Sequence, residues 1–331
     1  MKKLFLLCLI LTFVCYAENY DLKASPKTIV WGYYSASAKP VLTVHSGDTV
    51  RIETVSGSPA RLEASGALAN QIPEALRAIY KEVTDKGPGG HILTGPVYIE
   101  SAEPGDVLEV RIQKLELTST FAYNSFRPGS GFLPDDFPSA KTKIIPLDRT
   151  RMVAHFSDNV EIPLHPFFGS MGVAPPEANG RINSAPPWIH AGNLDNRELG
   201  EGTVLYIPVH TKGALFEVGD GHAGQGNGEV DITALETQLT GTFQFIVRKD
   251  MHLKWPRAET PNFYIAMGLH EDLNEATKLA VREAIEFLST EKHMSREDAY
   301  MLASVAVDFC ITQLVDGNKG VHAMIPKRIF H

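Results

Sequence analysis

This 331-residue chain has three cysteines, and two of them, Cys8 and Cys15, fall in an apolar N-terminal run. With that run set aside only Cys310 remains. No disulfide can then form within the rest of the chain, and stability must come from a large apolar core, which a hydrophobic content of 44% can build. Cys310 itself lies in the apolar run Ala303 to Leu314 and reads as a buried, inert thiol. Basic residues are also scarce: 31 Lys and Arg face 39 Asp and Glu, a formal net charge of -8, without a Lys/Arg cluster. That balance disfavours nucleic acid or an anionic membrane surface as a partner and favours a small neutral ligand. Several catalytic signatures are absent too. There is no GxSxG elbow, HExxH helix or phosphate-binding loop, and Ser184 stands between Asn183 and Ala185 without elbow glycines, so serine catalysis is not signalled.

What is present begins at the N-terminus. Lys2 and Lys3 precede the apolar run Leu4 to Val14, which is short for a membrane span and ends in Cys15-Tyr16-Ala17 before Glu18. The pattern predicts a signal peptide over residues 1–17, a mature start near Glu18, and a secreted or periplasmic protein with no membrane segment after cleavage.

From Thr28 to about Val247 short alternating segments are broken by Gly, Pro and Asp. Pro40 to His45 and Thr49 to Thr54 flank Ser46-Gly47-Asp48, and Glu103-Pro104-Gly105-Asp106 precedes Val107 to Ile112. Both units read as hairpins of a sandwich or barrel, one a possible echo of the other. Helical spacing interrupts the region once, over Ile72 to Val83. Further on, Asp272 to Leu288 carries one apolar face, and Ser295-Arg296-Glu297-Asp298 is a capping segment for a helix through Ala306. The fold class is therefore α+β: a β-rich, sandwich-like core over 18–250 and a C-terminal α/β region over 251–331, whose two amphipathic helices pack on that core. Trp255 to Pro261 is the best linker segment, although one integrated domain fits the length equally well.

The densest chemistry lies in Val218 to Glu236, where Asp220, His222 and Glu229 stand among five glycines between strand-like runs. Glycine permits positive φ and close backbone approach, so such a loop can hold polar side chains around a bound atom; a hairpin whose polar groups merely satisfy the backbone is the plainer alternative. Three other clusters join it: His91 after a glycine turn, His165 to Pro176, and His190 to Asp195 with its imidazole, carboxamide and carboxylate. Histidines and acids gathered from several loops suggest water activated by a divalent metal.

Gly90 to Tyr98 followed by Ala102 to Asp106, then Met171 to Pro176, Gly192 to Asp195, Gly219 to Glu229 and Val315 to Pro326 together resemble the acetamidase/formamidase family, in order and over most of the chain. The resemblance implies a β-sandwich-like core with an added α/β part and hydrolysis of short aliphatic amides to carboxylate and ammonia. Two positions depart from the family pattern, Asn227 where Asp is common and Ala191 where a second Gly is common. The expected cofactor is a divalent metal, zinc, held by a subset of His91, Asp195, Asp220 and His222. Glu229 is the expected proton carrier, with Glu236 next in line, and Asn193 or a loop N–H the oxyanion donor. The alternatives are an exported binding protein without turnover and a hydrolase of larger amides. A homo-oligomer, a dimer or larger, is also expected.

Overall fold

The computed structural model describes residues 17–331, so all but the last residue of the expected export segment lies outside the described residues. Strands predominate. The largest sheet has nine, in the order Asn19–Leu22, Thr49–Glu53, Leu239–Arg248, Val107–Leu117, Val204–Pro208, Arg257–Glu259, Phe263–His270, Lys319–Pro326, Asp308–Gln313. A second sheet runs Ala191–Asn193, Phe167–Gly172, Phe216–His222, Ile92–Ile99, Ile29–Trp31, with Leu42–Val44 added in parallel to Ile92–Ile99. The two face each other across an apolar core. Phe243 and Phe245 from the first sheet meet Phe168 and Phe216 from the second, with cross-sheet ring centroids 5.0 to 5.9 Å apart. Each such ring is fully buried, and burying one contributes roughly 1.5–3 kcal/mol.

Neither Gly-Asp turn closes a hairpin. Leu42–Val44 belongs to the second sheet and Thr49–Glu53 to the first, and Ile92–Ile99 and Val107–Leu117 are divided in the same way. Both turns are arches between layers. In each, an aspartate closes the bend: Asp48 Oδ2 accepts from the His45 N–H at 2.7 Å, and Asp106 Oδ2 accepts from the Glu103 N–H at 2.9 Å. Local sequence cannot separate the two outcomes, because an Asx-type turn and alternating flanks serve an arch as well as a hairpin. The echo is nonetheless structural, since the incoming strands pair with each other and the outgoing ones both pair with Leu239–Arg248.

Among the described residues a four-stranded sheet (Val160–Pro163, Val153–Ser157, Lys141–Asp148, Phe121–Phe126), a two-stranded one (Arg181–Asn183, Tyr33–Ser35) and four α-helices are added: α1 (Pro59–Ala64), α2 (Glu74–Glu82), α3 (Leu273–Glu291) and α4 (Arg296–Ala306). Asp272 caps α3 by accepting from the Glu275 N–H at 3.0 Å, and Ser295 caps α4 by accepting from the Asp298 N–H at 3.0 Å. The small residues Ala276, Ala280 and Ala284 let α3 lie close on the nine-stranded sheet. At Gly268 on that sheet a Cβ would collide with the backbone of Ala276 and Ala280. The segment 255–261 supplies the strand Arg257–Glu259, so the sheet runs unbroken from the N-terminal half into the C-terminal one. No helix among the described residues is long and apolar enough to cross a membrane. Cys310 is half-buried on Asp308–Gln313, and burial raises its pKa.

The core also holds two histidines. His190 is fully buried, edge-on to Tyr34, with neither ring nitrogen hydrogen-bonded, and burial pushes its pKa down to about 3. His322 is paired at Nδ1 with the Thr312 hydroxyl at 2.7 Å, and burial pushes it down to about 4. Both are neutral in the fold. Because their folded values lie below the unfolded value near 6.5, the unfolded chain binds more protons as pH falls, and stability is lost through the window from about 6.5 towards 4. The stability that neutral His322 contributes should therefore shrink between pH 7.5 and pH 5, and the difference in urea midpoint between wild type and His322→Asn should shrink with it. An equal slope in both proteins would show that His322 carries none of the effect.

Candidate active site

The second sheet ends in an irregular polar cluster. Asp220 and His222 close the strand Phe216–His222, Asn193 ends Ala191–Asn193, and Asp195 follows two residues later. Glu229 and Glu236 come from the glycine-rich loop and its exit, and Asp316 from the turn between Asp308–Gln313 and Lys319–Pro326. All line one cavity of about 170 Å³ except His222, which lies directly behind it, and Tyr123 and His91 form further parts of its wall. Asp195 (φ 48°), Asp220 (φ 57°) and Glu229 (φ 44°) are all left-handed. For residues bearing a Cβ this costs on the order of 1–3 kcal/mol each and is held only where the surroundings enforce it.

His222 is the hub. Its Nδ1 lies 3.1 Å from Gln225 Oε1, while Gln225 Nε2 donates to the Asp195 carbonyl at 2.9 Å. Since the Gln225 oxygen can only accept, Nδ1 carries a proton, and Nε2 is the nitrogen that would be open to a cation once deprotonated. Nε2 points between Asp220 Oδ2 and Glu236 Oε1, each at 3.2 Å. The edge of the ring rests on Phe167 at 5.0 Å. Asn193 Nδ2 donates to Asp195 Oδ2 at 2.7 Å, and the Ala234 N–H donates to Glu236 Oε1 at 2.9 Å. His91 turns its Nδ1 to the Ser184 hydroxyl at 2.9 Å, which leaves Nε2 as its free nitrogen.

Among the described residues, two sets of donor atoms converge within 4.8 Å: Asp195, His222 and Glu229, and Asp220, His222 and Glu236. Of the sequence-predicted ligands, Asp195 and Asp220 each share a set with His222 but fall in different sets, and His91 belongs to neither. Glu229 and Glu236 stand among the potential ligands themselves. Asp316 and Gln225 were not singled out by sequence reasoning. Asp316 lies inside the Val315 to Pro326 motif, but nothing in its local pattern shows that this turn reaches the acids of the other sheet. Of the two departures, Asn227 is exposed on a neighbouring cavity that Glu229 also lines and belongs to neither donor set, and Ala191 is buried with φ 64°.

The electrostatics are those of an under-compensated acidic pocket. Burial raises the pKa of Asp195, with the Asp316 and Asp220 charges adding to it, and burial likewise raises Glu229, reinforced by Asp195 and Asp316. Burial raises Glu236, and pushes Asp316 up to about 7. Burial also acts on Asp220, but His222 and His91 outweigh it and hold that carboxylate low. Conversely, burial opposes charge on His222, yet Glu236 and Asp220 outweigh it and raise its pKa. Several atoms remain unsatisfied: Asp195 Oδ1, Asp316 Oδ2 and His222 Nε2 are buried without a hydrogen bond. Native proteins rarely leave such atoms orphaned, and carboxylate oxygens with an imidazole suit a divalent transition metal. The residues fit a cation.

Comparison with known proteins places these features in one group. The model of the Acetamidase/Formamidase family matches residues 30–179 and 176–331, and the chain belongs to that family. It is 25% identical to the formamidase of Methylophilus methylotrophus over 316 residues, 72% of this chain and 77% of that protein. It is also 25% identical to the acetamidase of Mycolicibacterium smegmatis over 235 residues, covering 53% of this chain and 57% of the relative. The crystal structure of an acetamidase from Yersinia enterocolitica superposes with a TM-score of 0.82 at 28% identity, covering 96% of this chain and 94% of that one.

One glycine tests the geometry. A Cβ at Gly169, on Phe167–Gly172, would collide with Asp195 Oδ1 and Asp220 Oδ2 and crowd the His222 ring. Gly169→Ala should therefore lower zinc or manganese affinity at least about tenfold in equilibrium dialysis while circular dichroism keeps the β signature. Wild-type affinity in the variant would place the cation elsewhere.

Proposed function

We propose that this chain is an exported, metal-dependent amidase that hydrolyses short aliphatic amides to carboxylate and ammonia. The observation that carries the reading is the convergence on His222 of buried carboxylates with unsatisfied oxygens, within a fold shared with formamidases and acetamidases. Amides resist water because resonance weakens the carbonyl electrophile and makes the amine a poor leaving group. A catalyst must polarise oxygen, activate water and protonate nitrogen. Asp195, Asp220 and His222, with Glu236 beside them, would hold a divalent cation, zinc in our reading, which would supply the first two capabilities.

The protein's own groups supply the remainder. Glu229 lines both the small acidic cavity and a larger one of about 630 Å³ that opens beside it, so its carboxyl can take a proton inside and exchange it outside. Burial, with the charges of Asp195 and Asp316, raises its pKa, which suits a group that takes up and hands on a proton. Asn193 orients Asp195 through one N–H, and its second N–H is free to donate to the developing oxyanion. Tyr123, with its hydroxyl on Ser56 at 3.0 Å and its pKa raised by burial, stays a phenol and offers another donor on the wall. The small cavity holds five or six groups at about 30 Å³ each, room for acetamide and one water.

Export is supported by the basic residues and apolar run before Glu18, and intact-mass measurement of exported protein should show a start near that residue. Purified protein should release ammonia from formamide or acetamide, lose that activity to a chelator and recover it with zinc. Glu229→Gln should keep its cation and turn over about 10²–10⁴-fold more slowly, because glutamine cannot accept the proton. If the variant emerges metal-free, Glu229 is a ligand and Glu236 becomes the base. Full activity in chelated protein would overturn the metal mechanism, and an inert protein that still binds amides would instead be the binding protein.

A further inference from the structure

The mouth of the acidic cavity has a character that acetamide does not use. Arg61 on α1 and Arg127, just after the strand Phe121–Phe126, both line this cavity, beside Tyr80 of α2. Both arginines are exposed, and among the described residues neither guanidinium makes an ion pair or a hydrogen bond. The charge on Arg61 nevertheless reaches inward, since it acts on the buried Tyr123 hydroxyl. In a chain of net charge -8, two unpaired arginines at one opening are a local reversal of sign. Among the described residues none of the floor acids pairs with either arginine: Asp220 and Glu236 face His222, and Asp195 accepts from Asn193.

The size of the cavity sharpens the point. The whole cavity, about 170 Å³ with Arg61 and Arg127 in its lining, has room for little more than acetamide and a water, so an acyl chain longer than acetamide's comes up against the arginines. A substrate whose leaving group is ammonia has no substituent on nitrogen, and only its acyl chain can project outward. There it meets two guanidinium groups, whose planar forks match a carboxylate in bidentate fashion better than any neutral group. Resting on the amidase reading above, we propose that Arg61 and Arg127 select short primary amides whose acyl chain ends in a carboxylate, the monoamides of small dicarboxylic acids. The neutral amide end lies at the acidic floor and the anionic end at the basic mouth, so a single binding direction is favoured. Neutral aliphatic amides are then accepted as truncated substrates.

The test compares succinamate with butyramide, which has a similar chain but no charge, using the full mature protein loaded with zinc and an ammonia-release assay. The expected kcat/KM for succinamate exceeds that for butyramide at least tenfold, mostly through KM, and the advantage shrinks as salt is raised. In Arg61→Gln and Arg127→Gln the succinamate-to-butyramide ratio should fall at least fivefold, with the change again in KM. Equal ratios in wild type, or variants that lose both substrates in proportion, would overturn the selection while leaving the amidase reading intact. If no amide is turned over, calorimetric binding of succinamate to wild type and to Arg61→Gln still decides. Weaker binding to the variant then upholds the arginine site although the amidase reading has failed, and equal binding sinks both.

Discussion

Five carboxyl groups, those of Asp195, Asp220, Glu229, Glu236 and Asp316, share one small cavity with a single buried histidine against them. Buried charges of one sign cost several kcal/mol each unless they are paired or protonated. Most of these groups respond by raised pKa values, and three of their oxygen and nitrogen atoms have no partner. A cation would resolve both strains, because it would replace protons on the acids and take the lone pair of deprotonated His222 Nε2. Much of the local structure follows from holding this arrangement: left-handed backbone at three of the acids, a glycine under two of them, and Gln225 locking the histidine tautomer.

The sandwich makes that arrangement affordable. Phenylalanines between the sheets fix the second sheet from behind, so the ends of its strands can be irregular without collapse. The two aspartate-closed arches carry the chain from one layer to the other and set neighbouring strands in register. Asp316 arrives from the far edge of the nine-stranded sheet, which draws the C-terminal strands into the site itself. The arrangement therefore depends on both halves of the sequence.

Periodicity and capping made the helices legible: α3 and α4 begin at Asp272 and Ser295, where the capping residues stood, and the spacing over Ile72 to Val83 contains α2. The class, α+β with a β-rich sandwich, was also legible, because alternation and turn residues are local. Pairing is not. The same Gly-Asp bends served for expected hairpins and observed arches, and the segment 255–261 looked like a link although it holds a strand at the centre of a sheet. In the site, Asp195, Asp220, His222 and Glu229 stood out because glycine surrounded them or because they clustered in sequence. Gln225 stood in the same loop without attracting notice, since its role depends on which oxygen it meets. Asp316 matters through contacts made across sheets and Gly169 through contacts with neighbouring strands of its own sheet, neither of which a linear pattern encodes.

The central claim is a cation on His222, and anomalous diffraction tests it directly. Crystals grown with zinc, with data collected on both sides of its absorption edge, should show one strong peak about 2.0–2.2 Å from His222 Nε2 and from a carboxylate oxygen of Asp195 or Asp220. No peak at this cluster, or one only at surface residues away from it, would contradict the account.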